Sequence, residues 1–301
     1  MIYFAKIKAK IKGIKMKKIT IAHSPDADDI FMYMAIKFGW IGNDFAYENT
    51  ALDIQTLNEL ALKNKFDATA ISFGLYPLIA SEYALLRTAV SFGEGYGPKL
   101  IKKKDTHLKR NFKVALSGVN TTNALIFRIK YPEARIVYKN FLEIEKAVLR
   151  GEVDAGVLIH ESILEFDCNL CVEAELWDIW LEFAKENLPL PLGGMALRRS
   201  LPLSDAIKIE RDLTRAVEIA DANRGILAPM LMERKLIRVD EEKLDAYLNL
   251  YANKNSISMN ATQLLALDTL FKLGYDYKFY DKIIHTNDYL IPNEYEEARN
   301  S

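Results

Sequence analysis

The sequence predicts an α/β protein built as two lobes around a cleft, and three observations carry that expectation. Strand and helix signals alternate along most of the chain, the pattern of largely parallel sheets flanked by helices. A helix, an apolar-Asp-Ala step and a strand ending on a polar residue occur twice, at Phe66-Asp67-Ala68 running to Ser72 and at Val153-Asp154-Ala155 running to His160. Two such units place both strand ends at the carboxyl edges of sheets, where open α/β folds usually bind ligands. Half of the 301 residues are apolar, which supplies a core for one large or two ordinary domains.

The elements follow in order. A strand over Ile19–His23 leads into the turn Ser24-Pro25-Asp26-Ala27-Asp28-Asp29 and a helix opening at Ile30. Ser24 and the aspartates suit a helix start, because short polar side chains cap free N–H groups and negative charge favours that end of the helix dipole. A helix is expected over Thr56–Asn64, then a strand from Phe66 to Ser72. The segment Gly93-Glu94-Gly95-Tyr96-Gly97-Pro98 reads as a turn that needs positive φ. A strand, Lys99–Lys103, follows it where a dinucleotide-binding motif would have a helix. The second unit runs through a strand at Lys113–Leu116, a helix at Asn123–Lys130, a strand at Arg135–Tyr138, a helix at Phe141–Arg150 and a strand at Ala155–Ile159. After Pro189, Pro191, Gly193 and Gly194 comes a strand at Met195–Arg198, then mostly helix, with Ser204 and Asn260 as caps.

Crossings near residues 103–106 and 191–195 would make residues 106–192 a smaller inserted lobe. Residues 16–105 and 193–301 would then form a discontinuous larger one, preceded by a basic extension, 1–15. That extension lacks the apolar core and cleavage site of a secretory signal, and translation from Met16 is an equally open start. No apolar run reaches the roughly 18 residues of a membrane span. With 40 basic and 41 acidic residues there is no electrostatic footprint for nucleic acid or an anionic membrane. A cytoplasmic protein with a small-molecule partner is expected, its oligomeric state open.

Five features bear on chemistry. Asn120-Thr121-Thr122 stands between a strand and a helix, so its hydroxyls and nearby N–H groups either hold an anion or simply cap the helix. Asn58 and Ser72 are polar residues inside apolar stretches, where local hydrogen bonding is the plainer reading. His160 leaves a strand beside Glu161 and Ser162, and serves there either as a proton carrier near neutral pH or as a structural histidine. Asp26, Asp28 and Asp29 suggest a metal, but cap and turn explain them more simply. Cys168 and Cys171 form a C-x-x-C pair without a second pair or suitably spaced histidines, so reduced thiols are expected rather than a redox or zinc site.

The segments His23-Ser24-Pro25, Thr56-Leu57-Asn58, Ile71-Ser72, Thr121-Thr122, Gly151 to Ser162 and Leu188-Pro189-Leu190-Pro191-Leu192-Gly193 resemble, in order, the 1,4-dihydroxy-6-naphthoate synthase family. The resemblance spans roughly residues 19–260, and the blocks ending in His160-Glu161-Ser162 and Leu192-Gly193 are its specific parts. It implies a two-lobed, periplasmic-binding-protein-like (class II) fold. It also implies a lyase of the futalosine route to menaquinone, turning cyclic dehypoxanthinyl futalosine into 1,4-dihydroxy-6-naphthoate without metal or other cofactor. The family's base matches His160, and its ligand positions match Asn58, Ser72, Thr122 and Asn123, with Thr121 and Ser24 beside them. This chain departs by carrying Asn123 where alanine is usual. It also carries Ser24-Pro25-Asp26-Ala27-Asp28-Asp29 where the family reads Ser-Pro-Cys-Pro-Asn-Asp, which adds negative charge if Asp26 or Asp28 faces the cleft. The alternatives are chorismate dehydratase of the same pathway and a non-catalytic small-anion-binding protein.

Overall fold

A computed structural model describes residues 16–42, 44–234, 240–251 and 254–292, so the basic extension 1–15 lies outside the described residues. Two sheets organise the chain. The first contains β1 (Lys17–His23), β2 (Phe45–Ala51), β3 (Ala68–Ser72), β4 (Tyr83–Leu85) and β5 (Ser91–Gly93). The second contains β6 (Lys99–Lys103), β7 (Lys113–Leu116), β8 (Arg135–Tyr138), β9 (Ala155–Leu158) and β10 (Leu170–Glu175). Strand β11 (Leu190–Arg198) then returns to the first sheet.

The helices, in chain order, are α1 (Ala27–Lys37), α2 (Ile54–Ala61), α3 (Tyr76–Ile79), α4 (Thr122–Lys130), α5 (Phe141–Leu149), α6 (Leu176–Ala184), α7 (Leu203–Ala222), α8 (Arg224–Glu233), α9 (Glu241–Tyr251) and α10 (Ala261–Asp276).

The sheets share a plan. The first runs β2-β1-β3-β11-β4 and the second β8-β7-β9-β6-β10, each with three parallel strands beside an antiparallel one. The sheets are therefore mixed, where largely parallel ones were expected, because each receives a strand from the far side of a crossing. The repeated apolar-Asp-Ala step has a physical basis in this plan. Asp67 accepts from the N–H and hydroxyl of Thr20 on β1 (both 2.8 Å), and Asp154 accepts from the N–H of Lys113 on β7 (2.7 Å). Each aspartate thereby ties the start of one strand to its parallel neighbour.

The chain crosses between the sheets twice, and one crossing differs from expectation. Strand β6 pairs with β9 and β10, so the first crossing falls at residues 94–98 rather than 103–106. The glycine-rich turn is that crossing, and Gly95 there has φ +77°, the conformation the turn was expected to need. The returning strand begins at Leu190, not Met195, since a register shift between Pro191 and Gly193 lets it pair with β5 past the proline.

Local sequence explains most boundaries. Asp53, not foreseen, caps α2 by accepting from the N–H of Thr56, and Asn260 forms a reciprocal capping box with Gln263. Ser204 falls inside α7, which begins one residue after Pro202 and has no side-chain cap. The core is continuous from Ile19 and Ile21 on β1, through Phe73 and Tyr76, to Leu116, Phe127 and Trp180 in the second half. Among the described residues no helix is long and apolar enough to cross a membrane.

Candidate active site

The carboxyl ends of β1, β3, β7 and β9 converge where the two halves meet, as strand ends do in open α/β folds. Between them lies a cavity of about 130 Å³. A single water needs only roughly 10–15 Å³, so the cavity is sized for an organic ligand. Its wall on the first side includes Ser24, Asp26, Asp29 and Ser72, and on the second Thr121, Thr122, Asn123 and His160. Leu192, Gly193 and Gly194 of β11 also line it.

His160 follows the extended Ile159 and opens a short 3₁₀ turn, His160–Ile163, with φ +55°. Left-handed backbone is uncommon for a side-chain-bearing residue and costs on the order of 1–3 kcal/mol, so surrounding structure must hold it there. Phe141 at the start of α5 packs edge-on against the imidazole, with centroids 5.0 Å apart. Across the cleft, Oδ2 of Asp26 lies 2.9 Å from His160 Nδ1.

That contact corrects the reading of the aspartate turn. Asp26 stands at the N-cap position of α1, yet its side chain makes no capping bond. It is almost completely buried and lines the cavity. Ser24 shapes the turn instead: its hydroxyl accepts from the N–H of Asp26 (3.2 Å), and its own N–H donates to Asp29 Oδ2 (2.7 Å). Burial pushes the Asp29 carboxyl above its ordinary pKa; the neighbouring His23 opposes that shift and the Asp26 charge adds to it. Among the described residues no three His, Cys, Asp or Glu side chains are placed together to hold a metal ion.

The other expected residues divide by what their polar atoms already do. Thr121 caps α4, accepting from the N–H of Ala124 and donating to Gly118 O (both 3.1 Å). The Thr122 hydroxyl accepts from the N–H of Gly74 (3.0 Å) and donates to Leu192 O (3.1 Å), so it ties the two halves together. Gly74 allows this because an added Cβ would sit 2.8 Å from Thr122 N. Asn58 is wholly buried outside the cavity wall; its amide accepts from Ser72 N–H (3.0 Å) and donates to Ser72 Oγ (3.2 Å). It reaches the site only by fixing Ser72. Asn123 lines the cavity, and Oδ1 of its amide is buried without a hydrogen-bond partner, so a ligand group can satisfy it.

Sequence reasoning missed Gln55, whose Oε1 accepts from Val119 N–H (3.0 Å) and bridges the halves from α2. A half-buried glutamine in the first turn of a helix gives no sequence signal of that role. Cys168 and Cys171 are free thiols, the first exposed and the second half-buried at β10.

Two comparisons assign the class. The fold is that of periplasmic binding proteins: the alkanesulfonate-binding protein SsuA of Xanthomonas axonopodis pv. citri superposes with a TM-score of 0.68 at 10% identity, covering 92% of this chain and 99% of that one. A crystal structure of protein AF1704 from Archaeoglobus fulgidus is more similar, at TM-score 0.81 and 33% identity over 87% of this chain and 98% of that one. The family model for menaquinone biosynthesis matches residues 19–276, and the chain belongs to that family. Curated relatives are the 1,4-dihydroxy-6-naphthoate synthases of Thermus thermophilus, 26% identical over 85% of this chain and 93% of that one, and of Streptomyces coelicolor, 28% identical over 78% and 85%.

Proposed function

We propose that this protein is a 1,4-dihydroxy-6-naphthoate synthase, a lyase that takes cyclic dehypoxanthinyl futalosine and uses His160 as general base. The observation that carries the reading is the position of His160, at a strand end, in left-handed backbone, lining a ligand-sized cavity between the halves. An imidazole titrates near neutrality and suits proton removal there.

The substrate carboxylate would face the N-terminus of α4. A helix leaves its first N–H groups without intrahelical partners, so those of Thr122 and Asn123 and the positive end of the helix dipole favour an anion. The hydroxyls of Thr121 and Thr122 already have protein partners, so the backbone and the Asn123 amide are the better anchors. Asp26 and Asp29 line the opposite side and would repel the carboxylate from it, which fixes the substrate's direction in the cavity. His160 then takes a proton from carbon, and the electron pair left behind drives release of the sugar-derived part and aromatisation of the bicyclic product. Closure of the lobes would exclude water and hold the reacting geometry. A cytoplasmic location without cofactor belongs to the same reading.

The test is to incubate purified protein with cyclic dehypoxanthinyl futalosine and, separately, with chorismate, and to follow products by mass. Naphthoate from the first alone is expected. Dehydration of chorismate, or no turnover of either, overturns the assignment.

A further inference from the structure

We propose that Asp26 is a positioning residue that completes the base from the opposite half of the molecule. It would hold the His160 imidazole as the Nδ1–H tautomer, so that Nε2 is the nitrogen able to take the substrate proton. The inference deepens the proposed function and rests on His160 being the base.

Three observations support it. Oδ2 of Asp26 lies 2.9 Å from Nδ1 of His160, the length of a charge-assisted hydrogen bond. A carboxylate only accepts, so a bond at that distance places a proton on Nδ1, and in the neutral imidazole that leaves the lone pair on Nε2. Asp26 is 1% exposed and makes no side-chain capping hydrogen bond at the helix it precedes, although N-cap aspartates commonly do. The pair also spans two sheets: Asp26 follows β1, and His160 follows β9. Phe141 packs on the ring from its own half, and the far half supplies the Asp26 carboxylate.

When Nε2 accepts a proton from carbon, the Nδ1–H stays in place and the imidazolium is formed beside a negative charge. Asp26 itself gains no proton. The other titratable groups around the pair are Asp29 and His23 near the same turn and Glu161 next to His160. A geometric consequence follows: separating the halves would remove the carboxylate from the histidine, so the base is competent only when the cleft is closed.

The deciding experiment is nitrogen-15 NMR of imidazole-labelled protein, with single-turnover kinetics on the same samples. Wild type should show His160 protonated at Nδ1 in its neutral form. In Asp26→Asn, whose amide can donate to Nδ1, the proton should move to Nε2, and the rate of the chemical step should fall about 100-fold or more with substrate Kd within about threefold of wild type. Wild type with the proton on Nε2, or Asp26→Asn with an unchanged tautomer and rate, overturns the proposal. The wild-type spectrum decides alone if Asp26→Asn does not fold. It also decides if wild type has no turnover, in which case the proposed reaction fails and the tautomer assignment is still read.

Discussion

The strands β3 and β9 occupy equivalent places in the two sheets, begin with the same apolar-Asp-Ala step and lead to a polar residue at the cavity, yet the two ends are built differently. Ser72 is buried, in ordinary extended backbone, and its N–H and hydroxyl meet Asn58 from the helix of the same half. His160 is less buried, in left-handed backbone, and its Nδ1 meets a carboxylate from the other half. The first end is complete within its own lobe. The second needs both lobes, and chemistry that must wait for a bound substrate is better placed there.

The largest effect that bears on this contrast is at His160. His160→Asn should lower kcat about 10²- to 10⁴-fold while melting temperature and much of the substrate affinity stay near wild type. A purely structural histidine would give the reverse, lost stability with activity intact in the folded fraction. At the other end, Asn58→Leu keeps the volume but leaves the buried Ser72 N–H without its acceptor. Denaturant unfolding should then show a loss of roughly 1–3 kcal/mol, with kcat of the folded protein much less affected than in His160→Asn. Thr122→Val tests the tie between the halves. It removes the acceptor of Gly74 N–H and should cost about 1–2 kcal/mol of stability, together with a rise in KM that Asn58→Leu does not share.

The smallest effect concerns pH. Burial raises the Asp29 pKa in the folded protein, so the folded state binds more protons than the unfolded one between the ordinary value of 3.8 and the raised one. Stability from this group is therefore fully present below that window and lost as pH rises through it. Asp29→Asn, which can still accept from Ser24 N–H, should raise the melting temperature slightly at pH 7 relative to wild type, and the gain should vanish at the acid end. A gain that persists unchanged below the window would point to a cause other than the Asp29 charge.

Much of this architecture was legible because local rules governed it. The strands Lys99–Lys103 and Arg135–Tyr138 stand where apolar runs and turn residues put them, and Thr121 and Asn260 cap as short polar residues do. Strand β2 was not foreseen, since the polar run Glu48, Asn49 and Thr50 interrupts its apolar residues, and only pairing with β1 specifies it. The partnership of β6 was misread for a related reason: nothing local tells a strand which sheet it joins. Among site residues, His160, Ser72 and Asn123 came from strand ends and the family pattern, and all three line the cavity. Asp26 was read as a cap because its sequence neighbours explain it that way, whereas its partner is 134 positions away in sequence and across the cleft. Thr122 lines the cavity as well, and no sequence pattern shows that its hydroxyl also bonds Gly74 and Leu192.

The seam at Gly74 has a use of its own. Its N–H donates to an oxygen on the other half, while the neighbouring amides of β3 are paired within the first sheet. In deuterated water this amide, like that of Val119, therefore reports the parting of the halves separately from the melting of either. If the halves separate while each remains folded, Gly74 takes up deuterium ahead of Ala70 and Ile71, and a bound ligand slows Gly74 without slowing those two. If they part only on global unfolding, all three exchange together. The order of exchange at these amides then distinguishes a protein that breathes around its ligand from one that opens only when it unfolds.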